Sequence, residues 1–395
     1  MVAAKLSVLT LNCWGIPIPG LGSKDREQRM KAIADKIAEG MHDIVMLQEI
    51  WDEKDFKSIQ LRVSSVLPYS HYFHSGFVGS GVCVFSKGEI VEAFNHRYYL
   101  NGYAHKIWHG DWFGGKLVGM NKIVYQGLEI ALYTTHVHAE YCRDNDEYLA
   151  HRVSQAYELS QFIKHTSGGS DLVILGGDLN YEPVDIGYRI VRTNANMLDA
   201  WLEKKEWNAD DEGYTCDVPS NCYTSKACLK LAPKGKRIDY IMFKSKSGVV
   251  MTCDRCYTTL GHIPNTKINY SDHEALAADF TIHKSSKDSP GATSPGYDKE
   301  QLLREAVHAL DRGMDKVKQD KKIWILVGAI CIALLFVTAE FNADIGYGIH
   351  TAIILLRVAL VLAMGFCGWM AFIMDTVEMK GLIESRQSIL YVMKK

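Results

Sequence analysis

The sequence of 395 residues has no excess of charge of either sign. It contains 44 Lys and Arg residues against 46 Asp and Glu residues, a formal net charge of -2 at pH 7. This balance argues against a general nucleic-acid-binding protein, because such proteins usually carry a clear basic surplus. With 23% charged and 10% aromatic residues, the composition also excludes a disordered chain. The length allows one large domain with an appendage, or two modest domains.

Several catalytic and metal-binding motifs are missing from the sequence. There is no GxSxG elbow, no Walker A loop and no HExxH pair, so serine-hydrolase and nucleotide-hydrolysing readings lack support. Cys253 and Cys256 form an isolated CxxC, whereas a zinc site needs four ligands with a second close pair, so free thiols are favoured. Residues 2–11 are too short an apolar stretch for an export signal. We therefore expect a cytosolic chain with reduced cysteines, and disulfides only if it were exported by another route.

Apolar residues are concentrated near the C-terminal end. The runs 323–339 and 358–374 contain no charged residue, and a short polar stretch lies between them. A helix needs about 20 residues, with a lower limit of about 17, to cross the hydrocarbon of a bilayer. The two runs therefore predict a transmembrane hairpin within 323–374. A buried helical pair in a soluble core is the alternative, although soluble helices normally keep a polar face.

The flanks of the hairpin predict its orientation. Lys and Arg residues precede the first run and follow the second, whereas the polar stretch 340–348 between them carries only acidic charges. Because positive flanks stay cytosolic, we expect residues 1–283 and the C-terminal helix 375–395 to face the cytosol. The shortness of the runs favours the thin membrane of the endoplasmic reticulum. Residues 284–297 predict a linker, and residues 298–322 predict an amphipathic juxtamembrane helix.

Three residues within the hairpin have expected roles. Arg357 interrupts the second apolar stretch, so we expect it either to reach the far interface or to face a partner helix. Gly365 and Gly368 are small enough to let helices approach closely, and they predict a homo-oligomer formed through the hairpin.

Residues 1–283 alternate between short apolar strands and helices. Helical periodicity predicts helices over 26–39 and 145–165, the second capped by Asp144 or Asn145. Only these two helices are evident, and several strands follow one another directly, so the sequence predicts a mixed α+β sandwich. The predicted strands cover 5–12, 43–49, 80–86, 129–136, 171–180, 237–243 and 274–282.

Polar residues stand where these strands end. All of them are acids, amides or histidines, and we expect them to converge on one edge of the sandwich. A turn-capping role would explain any one of them, but it explains the whole set poorly. The residues are Asn12, Glu49, His136, Asp178 with Asn180, Asp239, and Asp272 with His273.

These residue types suit metal-assisted hydrolysis of a phosphodiester. Carboxylates such as Glu49 are the hard oxygen ligands that Mg²⁺ prefers. A bound cation neutralises the phosphate and the leaving oxygen. Asn12 and Asn180 can donate hydrogen bonds to phosphoryl oxygens without adding negative charge. His273 stands beside Asp272 and can act as a general base toward water.

The order of the motifs resembles the endonuclease/exonuclease/phosphatase superfamily. Within it, the chain is similar to the neutral sphingomyelinases of the membrane-hairpin type, over essentially its whole length. This resemblance implies a four-layered α/β sandwich, DNase I-like, with its site at one edge of the two sheets. The motifs that carry it are LNCWGIP (11–17), LQEIW (47–51), GSGVCVFS (79–86), NGYAHKIWHGDWFGGK (101–116), THVHAEY (135–141), GGDLN (176–180), RIDYI (237–241) and SDHEAL (271–276).

The resemblance also implies a role for each matching residue. The implied catalytic residues are His273 as the base, Asp239 as the acid that orients it, Asp178 and Asn180, which orient the water and hold the phosphate, and His136, which contacts the phosphate in preference to His138. The implied Mg²⁺ ligands are Glu49, with Asn12 beside it, and Asp272, and Mn²⁺ is an alternative ion. The implied substrate-binding residues are Asp111 and Lys116.

The implied activity is phospholipase C-type hydrolysis of sphingomyelin to ceramide and phosphocholine, with no nucleic acid as partner. A lysophospholipase C acting on lyso-platelet-activating factor-like lipids is one alternative. An inositol phosphatase, a nuclease and a catalytically inactive membrane scaffold are others. The segment 176–183, GGDLNYEP, lacks the Arg expected of an inositol phosphatase. A nuclease would need a basic groove.

Aromatic residues in a glycine-containing loop point to the membrane surface. The segment 107–115, IWHGDWFGG, contains Trp108, Trp112 and Phe113. Amphipathic aromatic side chains are suited to the interface between lipid and water. We therefore expect Trp112 and Phe113 to enter the bilayer near the bound headgroup, with packing in the core as the alternative.

Overall fold

The computed structural model describes residues 4–18, 22–207, 212–284, 297–340 and 347–394. These residues fall into two compact units. The first unit comprises Met1–Tyr148 and Gln155–Leu302, and the second comprises Leu149–Ser154 and Leu303–Lys395.

The described part of the first unit contains two six-stranded sheets. The strands are β1 (Ala4–Asn12), β2 (Ile44–Gln48), β3 (Tyr69–Phe73), β4 (Val82–Ser86), β5 (Glu89–Arg97), β6 (Leu117–Tyr125), β7 (Leu128–His136), β8 (Leu172–Asp178), β9 (Leu198–Asp199), β10 (Asp239–Ser245), β11 (Val249–Thr259) and β12 (Ala275–Lys284). The strand order is β11-β12-β1-β2-β4-β3 in the first sheet and β5-β6-β7-β8-β10-β9 in the second.

Helices connect and cover these strands, and they build the second unit. They are α1 (Arg26–Ile37), α2 (Glu53–Val63), α3 (Asp111–Gly114), α4 (Leu149–Thr166), α5 (Ile186–Ala195), α6 (Ala200–Glu203), α7 (Lys226–Leu231), α8 (Lys299–Ala339), α9 (Tyr347–Trp369) and α10 (Asp375–Met393). A π-helical turn, Met370–Met374, joins α9 to α10.

The two sheets pack face to face around one apolar core. Val8 and Met46 from the first sheet and Leu132 and Ile174 from the second are fully buried in a single cluster. Because alternate residues of a strand point to opposite faces, the outer face of the first sheet is also apolar. Helices α1 and α2 cover that face, burying residues such as Ile33 in a second cluster.

The second sheet is covered by α4 and α5. The Tyr133 hydroxyl of β7 lies 2.7 Å from Thr166 Oγ1 at the end of α4. Tyr188 of α5 packs on Tyr240 of β10 with ring centroids 5.0 Å apart. The order helix, sheet, sheet, helix is a four-layered α/β sandwich, so the predicted fold class is confirmed.

The described strands and helices include several elements that the sequence did not predict. Strand β5 is largely exposed at the edge of its sheet, and β6 carries Gly119 and Asn121 within its apolar run, so neither shows clear periodicity. Strands β3 and β11 and helices α2 and α5 were also missed. Helix α4 begins at Leu149, later than expected, and the predicted cap at Asp144 or Asn145 is wrong. Asp146 instead accepts a hydrogen bond from the Tyr148 amide at 3.0 Å in the preceding turn.

The second unit holds the apolar runs. The segments Lys299–Ala339 and Gly348–Met393 are long and apolar enough to cross a membrane, by length and composition. The expected juxtamembrane helix and the first run form one continuous helix, α8. Arg357 donates a hydrogen bond to the Thr338 carbonyl. Of the predicted linker 284–297, residues 285–296 lie outside the described residues.

All ten cysteines are free thiols, as the sequence predicts. Cys253 and Cys256 lie on β11 and are buried in the core between the sheets. Their surroundings are apolar, which accounts for the CxxC as a packing feature.

A close approach between the two sheets, at Gly119, supplies a stability prediction. A Cβ placed on Gly119 of β6 would lie 2.4 Å from the Phe73 ring of β3. We expect Gly119→Ala to lower the free energy of unfolding by about 1 to 3 kcal/mol, because an overpacked core must shift. Gly168→Ala is the control, since an added Cβ meets nothing within 4 Å there. Thermal unfolding of the two variants would refute the prediction if they were equally stable, and Phe73→Leu should restore stability to Gly119→Ala.

Candidate active site

Strand pairing aligns three of the predicted site residues. His136, the last residue of β7, pairs with Asp178, the last residue of β8. Asp178 pairs in turn with Asp239, the first residue of β10. Paired residues of neighbouring strands present their side chains on the same face of a sheet. The three side chains therefore form one row at the edge of the second sheet.

The first sheet contributes an amide and a carboxylate to the same edge. Asn12 ends β1, and its Nδ2 donates to Glu49 Oε1 and to Asp178 Oδ2, both at 3.0 Å. Asn12 therefore joins the two sheets at the site. Glu49 follows β2 with φ at 58°, a left-handed conformation that is uncommon for a residue with a side chain. Gly81 packs against its backbone, since a Cβ there would lie 3.1 Å from Glu49 Cα.

His273 and Asp239 form a buried pair. His273 Nδ1 lies 2.8 Å from Asp239 Oδ2, and that oxygen also accepts a hydrogen bond from Thr215 Oγ1 at 2.6 Å. Burial opposes protonation of His273, but Cys216 and Asp239 outweigh it and raise the pKa of His273 well above its usual value. Burial also raises the pKa of the Cys216 thiol to about 11, so Cys216 is neutral at pH 7. Asp239 Oδ2 is the hydrogen-bond partner of His273 Nδ1.

Buried carboxylates crowd the space between these residues. Burial and the charge of Asp239 raise the pKa of Asp178 to about 7. Burial and the charge of Glu49 raise the pKa of Asp272 to about 6. Oxygen or nitrogen atoms of Asp178, Asp239 and His273 lie within 4.8 Å of one another.

This arrangement fits a divalent cation. Asp239 Oδ1 is buried and has no hydrogen-bond partner among the residues that the structure describes. A hard cation would compensate the carboxylate charges that burial and mutual repulsion disfavour here. The acids available to hold it are Asp178 and Asp239, together with Glu49 and Asp272 beside them. Asn12 presents its amide nitrogen to Glu49, while its Oδ1 accepts from the Trp14 amide at 3.0 Å.

A buried lysine stands beside His136. Lys116 Nζ lies 2.9 Å from His136 Nε2, 2.9 Å from the Val137 carbonyl and 3.1 Å from Asp111 Oδ1. Burial and the charge of Lys116 lower the pKa of His136 well below its usual value. A neutral His136 therefore accepts the Lys116 hydrogen bond through Nε2, and Lys116 is the cation at this side of the site.

Asp111 is held ionised by its neighbours. Burial acts to raise its pKa, but His138, Lys116 and the Tyr141 hydroxyl, which donates at 2.6 Å, together lower that pKa well below its usual range. His138 Nε2 lies 3.6 Å from Asp111 Oδ2. His136 Nε2, by contrast, lies 3.6 Å from Asp178 Oδ2 and 3.9 Å from Glu49 Oε1. That His136 rather than His138 contacts the phosphate stays a prediction.

Asn180 is placed beside the row but is turned toward the backbone. Its amide N–H donates to Asp178 Oδ1 at 2.9 Å, and its Nδ2 donates to the Val137 carbonyl at 3.0 Å. Its φ of 52° brings the side chain back over the end of β8. Asn180 thus orients Asp178 directly.

An apolar cavity of about 510 Å³ opens beside these polar groups. Its polar lining includes Glu49, Lys116 and His136, and its apolar lining includes Phe77 and Phe113. Trp112 and Phe113 are partly buried, and Phe113 lines the cavity. Side chains with greater exposure stand nearby, namely Phe77 at 90%, Trp108 at 77%, Ile107 at 69% and Ile18 at 55%.

Several residues of the site were not predicted from the sequence. Thr215 bonds Asp239, and Trp51 Nε1 lies 3.4 Å from Glu49 Oε2. Tyr141 bonds Asp111, and Ser271 Oγ lies 3.1 Å from Asp272 Oδ1. Trp51, Tyr141 and Ser271 stand within the motifs LQEIW, THVHAEY and SDHEAL, which was the available signal. Thr215 lies in none of these motifs.

The fold is an α/β sandwich, and the residues of its site are suited to phosphoester chemistry. Sequence comparison assigns the family. The chain belongs to the Endonuclease/Exonuclease/phosphatase family, whose model matches residues 9–273. That range begins in β1 and ends at His273, and it therefore contains every polar strand end described above.

Individual relatives narrow this assignment. The chain is 40% identical to "Sphingomyelin phosphodiesterase 2" of Homo sapiens, over 98% of this chain and 91% of that protein. It is 35% identical to "Inositol phosphosphingolipids phospholipase C" of Schizosaccharomyces pombe, over 71% of this chain and 69% of that protein. The resemblance to neutral sphingomyelinases is thereby confirmed.

Among solved structures, sphingomyelinase C from Streptomyces griseocarneus superimposes with a TM-score of 0.51. The two chains are 19% identical, and the match covers 70% of this chain and 99% of the other. At this identity the likeness confirms the fold, which is the sandwich of two sheets.

The crowded carboxylates predict a pH dependence that one substitution isolates. With its pKa raised from 3.8 to about 7, Asp178 holds a proton in the folded protein that the unfolded chain releases, so stability falls as pH rises through this window. In the presence of a chelator, the free energy of unfolding of the wild type should fall by about 2 to 3 kcal/mol between pH 5 and pH 8, relative to that of Asp178→Asn. Unfolding of the detergent-solubilised protein measures this difference. Parallel pH profiles for the two proteins would contradict it, and a divalent cation should reduce the loss.

Proposed function

We propose that this protein is a Mg²⁺-dependent phosphodiesterase of the phospholipase C type that hydrolyses sphingomyelin to ceramide and phosphocholine. One observation carries the proposal: a set of acids, amides and histidines suited to phosphodiester hydrolysis adjoins an apolar cavity with Glu49, Lys116 and His136 in its wall. Such a cavity suits a substrate that is polar at the reacting phosphate and apolar beyond it. The relatives named for sphingomyelin and phosphosphingolipid hydrolysis support the same lipid class.

His273 acts as the general base in this proposal. Asp239 holds its Nδ1, which leaves Nε2 as the nitrogen that takes a proton from the attacking water. The raised pKa of His273 favours its protonated form, whereas a base must be neutral. A cation beside Asp178 and Asp272 would oppose that protonation by charge repulsion. The base therefore becomes competent when the carboxylates are compensated.

The remaining residues bind and orient. Asp178, held by Asn180, directs the water toward phosphorus, and Lys116 beside His136 faces the phosphoryl oxygens. Glu49 and Asp272 would hold Mg²⁺, which when bound would neutralise the phosphate and the leaving oxygen. Asn12 fixes the Glu49 carboxylate through Nδ2, so we assign it to orienting that ligand.

We further propose an arrangement at the membrane. The hairpin 323–374 anchors the protein in the endoplasmic reticulum membrane, and both 1–283 and 375–395 face the cytosol. Positive charge outside the two apolar runs supports this orientation. Gly365 and Gly368 would mediate a homo-oligomer through close helix packing.

An exposed set of side chains is proposed to meet the lipid surface. Phe77, Ile107, Trp108 and Ile18, here termed the apolar rim, are all more than half exposed. Phe77, Ile107 and Ile18 also line the cavity, so the rim surrounds its opening. A large exposed apolar patch at a cavity mouth is typical of a surface that meets lipid or a partner. Phe113, inside the cavity, and Trp112 beside it would contact the lipid substrate itself.

The first test addresses the reaction. We expect His273→Ala to reduce phosphocholine release from labelled sphingomyelin by roughly 10²- to 10⁴-fold, since it removes the general base. EDTA should abolish the wild-type activity, and Mg²⁺ should restore it. His283→Ala, at an exposed histidine near the end of β12, is the matched control. Near-normal turnover by folded His273→Ala would overturn the assignment of the base.

Parallel assays with other lipids distinguish the alternative substrates. Phosphatidylcholine, lysophosphatidylcholine, lyso-platelet-activating factor and an inositol phosphosphingolipid are assayed in parallel with sphingomyelin. If a lysophospholipid were hydrolysed faster than sphingomyelin, the lysophospholipid would be the preferred substrate, and the proposed type of reaction would be unchanged. No release from any of these lipids would refute the proposed function.

The second test addresses the apolar rim. We expect Phe77→Ser combined with Trp108→Ser to lower hydrolysis of vesicle-embedded sphingomyelin by about tenfold, which corresponds to about 1.4 kcal/mol of lost interfacial burial. Hydrolysis in detergent mixed micelles should change little. Leu61→Ser with Leu231→Ser removes two side chains of 79% exposure elsewhere and is the control. Equal losses in vesicles for both double variants would exclude a specific lipid-facing role.

A further inference from the structure

Arg29 is a fully buried arginine whose guanidinium joins two loops of the site. It projects from α1 and is 0% exposed. Its Nη1 donates to the Cys13 carbonyl at 2.8 Å and to the Tyr270 carbonyl at 3.2 Å, and its Nη2 donates to the Trp14 carbonyl at 2.7 Å. Cys13 and Trp14 follow Asn12, and Tyr270 precedes Asp272 and His273. One planar group thus connects the loop after β1 to the loop before β12.

The chemistry of this contact is unusual for a buried charge. The hydrogen-bond partners of the Arg29 side chain are backbone carbonyls, the fourth being Lys24 at 2.8 Å from Nε. The guanidinium also lies over the rings of Trp14 and Tyr223, 4.9 Å and 5.6 Å from their centroids. Burying a charge without a carboxylate among its hydrogen-bond partners is costly, and an apolar side chain would fill the space more cheaply. The position therefore suggests a requirement beyond packing.

The first loop transmits this anchorage to the metal-binding side. Trp14 has φ at 46°, a strained conformation for a bulky residue, and its carbonyl is the one that Arg29 Nη2 holds. Held this way, the Trp14 amide donates to Asn12 Oδ1 at 3.0 Å. That bond turns Asn12 Nδ2 toward Glu49 and Asp178. The orientation of both carboxylates therefore depends on the loop that Arg29 holds.

The second loop carries the anchorage to the base. Ser271 follows Tyr270, and its Oγ lies 2.7 Å from the Asn12 carbonyl and 3.1 Å from Asp272 Oδ1. The same hydroxyl accepts the His273 amide N–H at 3.3 Å. Arg29 and Ser271 are thus two neighbouring cross-links between the same pair of loops.

We propose that Arg29 is a positioning residue. By holding the two loops together, it fixes the position of the catalytic base relative to the carboxylates of the cation site. The inference rests on the proposed metal-dependent hydrolysis, and it deepens that proposal. The planar fork is the essential feature, because a single ammonium cannot reach carbonyls of both loops with the same geometry.

Two substitutions distinguish the planar set of N–H donors from the positive charge. Arg29→Lys keeps the charge and removes the planar guanidinium, and Arg29→Met removes both. In full-length protein in detergent, we expect Arg29→Lys to raise the Mg²⁺ concentration needed for half-maximal thermal stabilisation by 10- to 100-fold, the usual range for groups that orient metal ligands. The kcat of Arg29→Lys for sphingomyelin should be at least tenfold lower than that of the wild type, with KM little changed. The kcat of Arg29→Met should be lower still. Arg192→Lys is the control, because Arg192 is also buried and lies 5.5 Å from the Tyr188 ring, on α5.

A purely structural role gives a different result. Arg29→Lys would then unfold at a lower temperature, but with the wild-type Mg²⁺ increment and the wild-type kcat, and this outcome would overturn the inference. If Arg29→Lys does not fold, Ser271→Ala tests the same pair of loops with a smaller change. It should show the same shift in Mg²⁺ dependence, and an unchanged dependence would again contradict the inference.

The unfolding measurement also distinguishes this inference from the proposed function. A wild type that is stabilised by Mg²⁺ but does not hydrolyse sphingomyelin would refute the substrate, while the comparison with Arg29→Lys would still decide the role of Arg29. A wild type whose unfolding temperature does not respond to Mg²⁺ or Mn²⁺ would overturn both proposals.

Discussion

The hydrogen bonds from one amide nitrogen to two carboxylates are the interaction on which the site depends. Asn12 Nδ2 contacts Glu49 Oε1 of the first sheet and Asp178 Oδ2 of the second, each at 3.0 Å. The sandwich brings these acids together because both strands end at the same edge. Burial in this place disfavours ionised carboxylates, and the pKa of Asp178 rises to about 7 as a result. The surrounding residues can be understood as the means of keeping that negative charge in a folded protein.

Backbone strain is part of this arrangement. Trp14, Glu49 and Asn180 have φ between 46° and 58°, and each stands just beyond the end of a strand. A left-handed residue at that point reverses the chain sharply, so that the polar side chain turns over the edge of the sheet. Such conformations persist only where neighbouring contacts hold them. Gly15 allows the close approach at Glu49, since a Cβ on Gly15 would lie 2.3 Å from the Glu49 carbonyl oxygen.

The strand ends were predictable because local sequence contains their signal. A buried apolar run that stops at an acid, as at Glu49 and Asp178, places a carboxylate at the edge of a sheet whatever the rest of the chain does. Thr215 and Arg29 had no such signal, because their partners are distant in sequence and depend on how the loops pack. Local sequence also did not indicate which aromatic residues of the segment 107–115 are exposed. Helix α3 is a single turn bounded by Gly110 and Gly115, both with positive φ, and it directs Phe113 into the cavity while Trp108 remains exposed.

The weak net charge of the chain is consistent with this chemistry. On the proposed function, a lipid with a zwitterionic headgroup would reach the site by diffusion in the bilayer, so long-range electrostatic steering by the protein would add little. The local charge matters more, since four acids, Glu49, Asp178, Asp239 and Asp272, surround the site. The nearby cations Lys116 and protonated His273 are already paired with Asp111 and Asp239. On the proposed function, phosphate binding would require that a cation compensate the carboxylates first. The same compensation would oppose protonation of His273, so the condition that admits the substrate would also make the base available.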